Sequence, residues 1–228
     1  MPLRSLNYAT IQNYVRPWIM LRNFLVLLFA LSASYAAAQG NLDRGAELAQ
    51  TCAACHGADG NSLVGSFPSI AGQGERYFIE QLIAYRDGIR VNALMQGQVA
   101  NLTEQDFADL AAFYAVQEPT FGAADPDLVA LGQEIYRAGL KESGVMACMA
   151  CHGAQGQGNA PAGFPRVAGQ HTEYTIAQLK AYRAGYLASE PSETARMSDG
   201  QTMMMRAVAY RLKDHEIEAV ASYLEGLH

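Results

Sequence analysis

The sequence has little of several features that would point to common fold and function classes. Only four of its 228 residues are cysteines, and none lies outside two short motifs. Segments with the alternating apolar and polar residues of a half-buried strand are absent, which argues against a fold built on sheets. The apolar run 24–31 is shorter than the roughly 20 residues of a membrane span. Basic residues are also few, 16 against 22 acidic ones.

The chain without its N-terminal segment has even fewer positive charges relative to negative ones. Residues 1–38 contain three arginines and no acidic residue, so the chain from residue 39 onward has 13 basic and 22 acidic side chains. An acidic surface argues against nucleic acid or anionic lipid as a partner and favours a basic or mixed docking face.

We expect residues 1–38 to be a secretory signal peptide. Arg4, Arg16 and Arg22 supply positive charge, the run 24–31 is apolar, and three alanines at 36–38 form a small-residue cleavage site. The alternative is an uncleaved membrane anchor, which the short apolar run disfavours.

The four cysteines form two copies of one motif, each followed directly by a histidine. The copies are Cys52-Ala53-Ala54-Cys55-His56 and Cys148-Met149-Ala150-Cys151-His152. A Cys-x-x-Cys-His run is typical of covalent c-type haem attachment. Residues i, i+3 and i+4 share one face of a helical turn, so two thiols can reach the haem vinyl groups while the imidazole reaches the iron. We therefore expect two haems, with His56 and His152 as iron ligands.

Other uses of a Cys-x-x-Cys pair fit this chain less well. A zinc site would need both pairs to meet across the 92 residues between Cys55 and Cys148, and would leave each histidine unexplained. A redox dithiol is expected once, near a strand–helix junction. Two complete copies favour haem over zinc, a redox pair or a disulfide.

The chain from residue 41 onward repeats itself. Phe67-Pro68, Ala71-Gly72-Gln73 and Ala84-Tyr85-Arg86 recur 97 residues later, and the residues after Leu102 recur 110 residues after their first copies. Thirteen additional residues must therefore lie between Arg183 and Met205. Repetition at this length indicates a duplicated domain. We place the first domain at 39–121 and the second at 122–228, with the boundary in a Gly/Ala/Pro-containing link.

Each half is predicted to contain three main helices. The first two run near 42–50 and 77–87 in the first half and near 128–137 and 174–184 in the second, and the last covers 107–114 and 217–224. Apolar residues at i, i+3, i+4 and i+7 mark the last helix of each half. Gly88 and Gly185 are expected to stop the middle helices. A half of this size has a marginal protein core, so we expect each half to depend on its haem for stability.

A methionine is the expected sixth ligand, because its thioether favours reduced iron and raises the potential. Met95 lies seven residues before Leu102, and Met205 lies seven before Leu212, and only this register agrees in both halves. The alternatives to Met205 are the adjacent Met203 and Met204, and more weakly Met197.

These motifs resemble those of the dihaem cytochrome c4 family, two class I cytochrome c domains in tandem. The resemblance covers about residues 41–228 and implies an all-α fold wrapped around two covalent haems c. It implies haem attachment at Cys52, Cys55, Cys148 and Cys151, and iron coordination by His56, Met95, His152 and Met205. The carbonyls of Pro68 and Pro165 would accept a hydrogen bond from the second ring nitrogen of each histidine.

The resemblance also implies a function. Iron held by histidine and methionine has no open position for a substrate, so we expect an electron carrier rather than an enzyme. The family's usual role is between a quinol-oxidising complex (quinol–cytochrome c reductase) and a terminal oxidase, in the periplasm, either free or associated with the membrane surface. The alternatives are the dihaem subunit of a flavocytochrome (sulfide) dehydrogenase and a dihaem peroxidase.

Overall fold

The computed structural model describes residues 40–228, and the predicted signal segment lies outside this range. The described residues form one compact unit made only of helices, turns and three isolated β-bridges. The predicted all-α class is therefore confirmed. In the described part of the chain no helix is long and apolar enough to cross a membrane.

Each half of the described chain contains five α-helices in matching order. In the first half they are α1 (Leu42–Ala49), α2 (Ala53–His56), α3 (Glu75–Arg86), α4 (Ala93–Val99) and α5 (Glu104–Ala115). In the second half they are α6 (Val129–Arg137), α7 (Met149–His152), α8 (Thr172–Gly185), α9 (Met204–Ala209) and α10 (Asp214–Glu225). The three predicted main helices of each half are confirmed, whereas the short helices α4 and α9 were not predicted.

The first helix of each half crosses the last one at a glycine. A methyl group at Gly45 would lie 2.1 Å from the carbonyl oxygen of Asp109, and one at Gly132 would lie 2.3 Å from that of Ala219. Only glycine allows two backbones to approach this closely. The two crossings are equivalent in the repeat, and each brings the first helix against the core of its half.

Different interactions fix the start and the end of equivalent helices in the two halves. Thr103 and Asp106 form the capping box at the start of α5, and the Lys213 N–H donates to the Glu216 carboxylate at the start of α10. Gly88 follows α3 with a left-handed φ of 73°. Gly185 is instead the last residue of α8, where an added methyl would meet the Arg196 carbonyl oxygen at 2.2 Å. The helix thus ends at Gly185 as predicted, and close backbone approach is what requires glycine there.

Two apolar clusters form the core, one in each half. Phe107, Tyr114 and Val99 are fully or almost fully buried in the first, and Ile135, Tyr136 and Ile217 in the second. Cys52 and Met95 pack against the first cluster, and Cys148 against the second. Each half therefore has its own core, with one cysteine motif at its edge.

The halves are joined by reciprocal hydrogen bonds from two equivalent glutamines. The Gln170 amide donates to the carbonyl of Ser69 at 2.8 Å and accepts from its N–H at 3.0 Å. The Gln73 amide makes the same pair of bonds to the backbone of Arg166, at 3.1 and 2.9 Å. The contact is thus symmetric about an approximate two-fold axis. The proposed domain boundary at 121–122 lies between α5 and α6 and stays a prediction.

Candidate haem centres

The two cysteine motifs form short helices of the same shape. Cys52 precedes α2 and Cys148 precedes α7, and each helix ends at its histidine. A glycine with φ of 80° or 81° follows, and reverses the chain directly after each histidine. Main-chain bonds of 3.0 Å from the histidine N–H to the first cysteine carbonyl close the turn in both halves. The i, i+3, i+4 spacing therefore places both thiols and the imidazole on one turn, as predicted.

None of the four cysteines takes part in a disulfide. Cys55 is exposed, and the other three are half-buried. Burial raises the pKa of the Cys148 thiol to about 11, which does not fit the reactive thiolate of a redox dithiol. The pairs lie at the edges of different core clusters, which does not fit the single zinc site considered above.

Both motif histidines are buried and hydrogen-bonded to a proline carbonyl. His56 Nδ1 lies 2.8 Å from the carbonyl oxygen of Pro68, and His152 Nδ1 lies 2.9 Å from that of Pro165. The resemblance predicted a hydrogen bond from the second ring nitrogen of each histidine to a proline carbonyl, and both bonds are therefore confirmed. Since a carbonyl can only accept, Nδ1 carries the proton and Nε2 keeps its lone pair.

Burial also sets the charge of these histidines. It holds the pKa of His56 and of His152 below the ordinary value, against an opposite effect of the proline hydrogen bonds. Both imidazoles are consequently neutral near pH 7. Two thiols beside a neutral imidazole with a fixed ring orientation match the donors that a covalent haem needs, so the residues fit the group in both halves.

The two predicted methionines occupy the same place in the two unpredicted helices. Met95 lies four residues before the buried Val99 at the end of α4, and Met205 lies four before the buried Ala209 at the end of α9. Both side chains are half-buried. Met204 is 47% exposed, and Met203 has a left-handed φ of 52° at the residue before α9. The fold therefore keeps the register found in the sequence.

Each methionine helix is fixed by a side chain at its start. The Asn92 side chain accepts from the Met95 N–H at 3.0 Å, which is an ordinary N-cap. In the second half Asp199 accepts from the Arg206 N–H at 2.9 Å and from the Arg206 guanidinium at 2.6 Å. The second half thus has a buried ion pair at the start of its methionine helix where the first half uses an amide.

Two arginines at equivalent positions of the repeat each have an acidic partner in the protein. Arg86 lies 3.8 Å from Glu104, and Arg183 lies 2.6 Å from Asp214. Both acids occupy the first residue of the last helix in their half. These arginines therefore join the middle helix to the last helix.

A second pair of equivalent arginines, Arg90 and Arg196, was not predicted from the sequence. Each follows a Tyr–Arg helix end and donates its N–H to an alanine carbonyl of that helix, Ala84 or Ala181, at 2.9 Å. They are equivalent in space but 106 residues apart, an offset that no other repeat pair shares. The Tyr-x-x-x-x-Arg spacing in the first half has no direct copy, because the insertion separates Tyr182 from Arg196.

Comparison with known proteins agrees with this geometry. The cytochrome c family model matches residues 42–115 and again 129–228. Cytochrome c4 of Azotobacter vinelandii is 41% identical over 219 residues, which is 92% of this chain and 100% of that protein. The chain belongs to the cytochrome c4 family. The structure of reduced recombinant cytochrome c4 from Pseudomonas stutzeri matches with a TM-score of 0.77 at 40% identity, over 83% of this chain and 100% of that one.

Membership decides the cofactor and the class of activity. As a cytochrome c4, the chain has two covalently bound haems c and is an electron carrier, not an enzyme. A more distant relative is the thiosulfate dehydrogenase electron acceptor of Stutzerimonas stutzeri, 34% identical over 78% of this chain and 80% of that protein. The haem supplies one-electron chemistry at its iron, and the protein supplies ligands, orientation and electrostatics.

Proposed function

We propose that this protein carries single electrons in the periplasm from a quinol-oxidising respiratory complex to a terminal oxidase. His56 and Met95 would hold one iron, and His152 and Met205 the other. The observation that supports this most is the equivalence of the two methionine helices. An iron with both axial positions filled by the protein can exchange electrons without binding a substrate.

The protein's own residues hold these proposed iron ligands in place in two ways. The proline carbonyls of Pro68 and Pro165 fix the ring orientation of the histidines and keep Nε2 free to bind. The buried C-terminal residues of α4 and α9 anchor these helices to the core and so fix the positions of the two methionines. Fixed ligands keep the change in geometry between the two oxidation states small, which favours fast electron transfer.

Substitution of single methionines in the holoprotein tests the ligand assignment. Met95→Leu and Met205→Leu should each remove about half of the red charge-transfer band of ferric iron bound to methionine. Each variant should also lower one reduction potential and open one haem to carbon monoxide. Met204→Leu is the matched control, because this neighbouring side chain is exposed. Loss of the band in the Met203→Leu or Met204→Leu variant, with Met205→Leu unchanged, would contradict the assignment.

The excess of acidic side chains indicates which kind of partner surface this protein would bind. From residue 39 onward, 22 acidic side chains stand against 13 basic ones, so a basic or mixed docking face is favoured. Reduction by quinol-oxidising membranes and oxidation by terminal-oxidase membranes should both slow as ionic strength rises. Rates that do not depend on salt, or membranes that fail to oxidise the protein, would contradict this role.

A second role has a specific observation in its favour. The relationship to a thiosulfate dehydrogenase electron acceptor suggests that a sulfur-compound dehydrogenase could be the donor. The related alternative is a permanent dihaem subunit of a flavocytochrome sulfide dehydrogenase. Isolation of the native protein in a stable complex with a flavoprotein would favour the subunit, and isolation as a single chain would favour the shuttle.

A further inference from the structure

Among residues 40–228, two tyrosines have no exposed surface, Tyr114 in the first half and Tyr136 in the second. They belong to the core clusters against which Cys52 and Cys148, the first cysteines of the two motifs, pack. Burial raises the pKa of both tyrosines above the ordinary value, and the sulfur of that cysteine raises it further in each half. Each half therefore places a buried tyrosine hydroxyl beside the first cysteine of its motif.

The two tyrosines do not correspond to each other in the repeat. Tyr114 is on the last helix of its half, where the equivalent residue of α10 is Leu224. Tyr136 is on the first helix of its half, four residues after the glycine of the helix crossing, where the equivalent residue of α1 is Ala49. Opposite helices thus bring a tyrosine to the same place. The shared feature is the position of the hydroxyl, not the position of the residue in the chain.

The two hydroxyls differ in their hydrogen bonds. Tyr136 donates to the carbonyl of Gly153, the residue directly after His152, at 2.5 Å. The Tyr114 oxygen is buried and has no hydrogen-bond partner among residues 40–228. A buried hydroxyl has lost its bonds to water, so one without a partner is unfavourable and rare. The hydrogen of Tyr114 is therefore available to a group that the described chain does not supply in this form.

The ring of Tyr114 is held in one direction by its neighbours. Its centroid lies 5.5 Å from that of Phe78 and 5.0 Å from that of Phe113. On the side of the motif loop, a methyl group at Gly60 would lie 2.8 Å from a carbon of the ring. Close packing on these sides keeps the ring from turning, so the hydroxyl stays next to the cysteine.

Haem attachment would convert the Cys52 sulfur into a fitting acceptor. The thiol S–H adds across a vinyl double bond, which leaves a thioether that has lone pairs and no hydrogen. Thioether sulfur is a weak hydrogen-bond acceptor and cannot donate. Asp59 also raises the pKa of Tyr114, but its carboxylate is exposed and accepts from Asn61.

We propose that Tyr114 is a positioning residue of the first haem centre, whose hydroxyl donates to the thioether sulfur of Cys52 and raises the reduction potential of that haem. Ferrous haem has one positive charge fewer than ferric haem, so the positive end of an O–H dipole directed at the attached sulfur favours the reduced form. Tyr136 gives its hydrogen to Gly153 and has no such effect on the second haem. This inference rests on haem attachment at Cys52 and on the proposed ligation of one iron in each half.

The test is a spectroelectrochemical titration of the full holoprotein as wild type, Tyr114→Phe and Tyr136→Phe. Both substitutions remove one hydroxyl and keep the ring, so Tyr136→Phe is the matched control. We expect one midpoint to fall in Tyr114→Phe and neither to fall in Tyr136→Phe. The Met95→Leu protein described above identifies the midpoint of the first half, which is the one that should fall.

A vibrational measurement reports on the hydrogen bond itself. Resonance Raman spectra show the carbon–sulfur stretching bands of the thioethers, recorded after equilibration in H2O and in D2O. A band of the wild type should shift on deuteration, Tyr114→Phe should lose this shift, and Tyr136→Phe should keep it. A role of Tyr114 in packing alone would give no such shift, because the ring is unchanged.

Several results would overturn the proposal. They are unchanged midpoints in Tyr114→Phe, a fall in the midpoint of the second half instead, an equal fall in Tyr136→Phe, or a wild type whose thioether bands do not respond to deuteration. A buried water as the partner of Tyr114 would give the last of these results. Haem content and the methionine band of the wild type, measured on the same samples, report separately on the proposed function.

Discussion

The crossing of the first and last helices allows a sharp prediction at Gly45. In the Gly45→Ala protein the new methyl carbon would lie 2.1 Å from the Asp109 carbonyl oxygen and 2.8 Å from the Phe113 Cβ. Carbon atoms need about 3.5 Å, so α1 must move away from α5 by about 1 Å or more. Overpacking of this kind costs about 3 kcal/mol at the upper end of its usual range.

The intrinsic preference of alanine for helices offsets part of this cost. Alanine gains about 1 kcal/mol over glycine inside a helix, so the net loss at Gly45 should be about 2 kcal/mol. For a chain of this size the melting temperature should fall by about 4–8 °C. Thermal unfolding of the holoprotein, followed by far-ultraviolet circular dichroism, measures the change.

Gly97 provides the matched control for the same substitution. It lies inside α4, and an added methyl there has no atom within 4 Å. Gly97→Ala should therefore raise the stability by up to about 1 kcal/mol. Gly132→Ala, at the equivalent crossing in the second half, should behave like Gly45→Ala. If Gly45→Ala and Gly97→Ala melt at the same temperature, the argument from close helix approach is wrong.

Three further predictions concern the methionine loop, a helix start and the cofactor. Asp199→Asn leaves the buried Arg206 uncompensated, so the second half should lose about 3–5 kcal/mol and release its methionine band at a lower temperature than the first. Hydrogen bonds from Thr103 lower the pKa of Asp106, so their stabilisation is present above the unfolded pKa and is lost as pH falls through the folded one. Thr103→Ala should lose about 1 kcal/mol at neutral pH and show a smaller loss on acidification in urea titrations. Alanine at both cysteines of the first motif should leave that half without cooperative melting, and a native-like melt by circular dichroism would contradict this.

The repeat in the sequence was sufficient to predict equivalent positions for the two cysteine motifs and the two methionines, whose binding to iron stays a prediction. Amphipathic spacing located the three main helices of each half, and the shared offset of 110 residues chose Met95 and Met205. The helices that carry these methionines were missed because seven and six residues are too few to show a helical period. Their stability comes from caps and packing on the rest of the half.

The contact between the halves could not be read from the sequence. Arg90 and Arg196 are equivalent only in three dimensions, because nine of the inserted residues precede Arg196 and change its offset. His171 directly precedes α8, and its Nε2 lies 2.9 Å from the Ser62 carbonyl oxygen of the other half. Contacts of this kind depend on tertiary docking, which local patterns do not encode.

The central claim is that each half closes both axial positions of its own covalently bound haem with protein side chains. An optical and redox titration of the purified holoprotein, with carbon monoxide added to the reduced form, tests it most directly. We predict two haems per chain, two methionine-coordinated ferric centres and no binding of carbon monoxide at either iron. Fewer than two haems, or ready binding of carbon monoxide at one of them, would contradict the account.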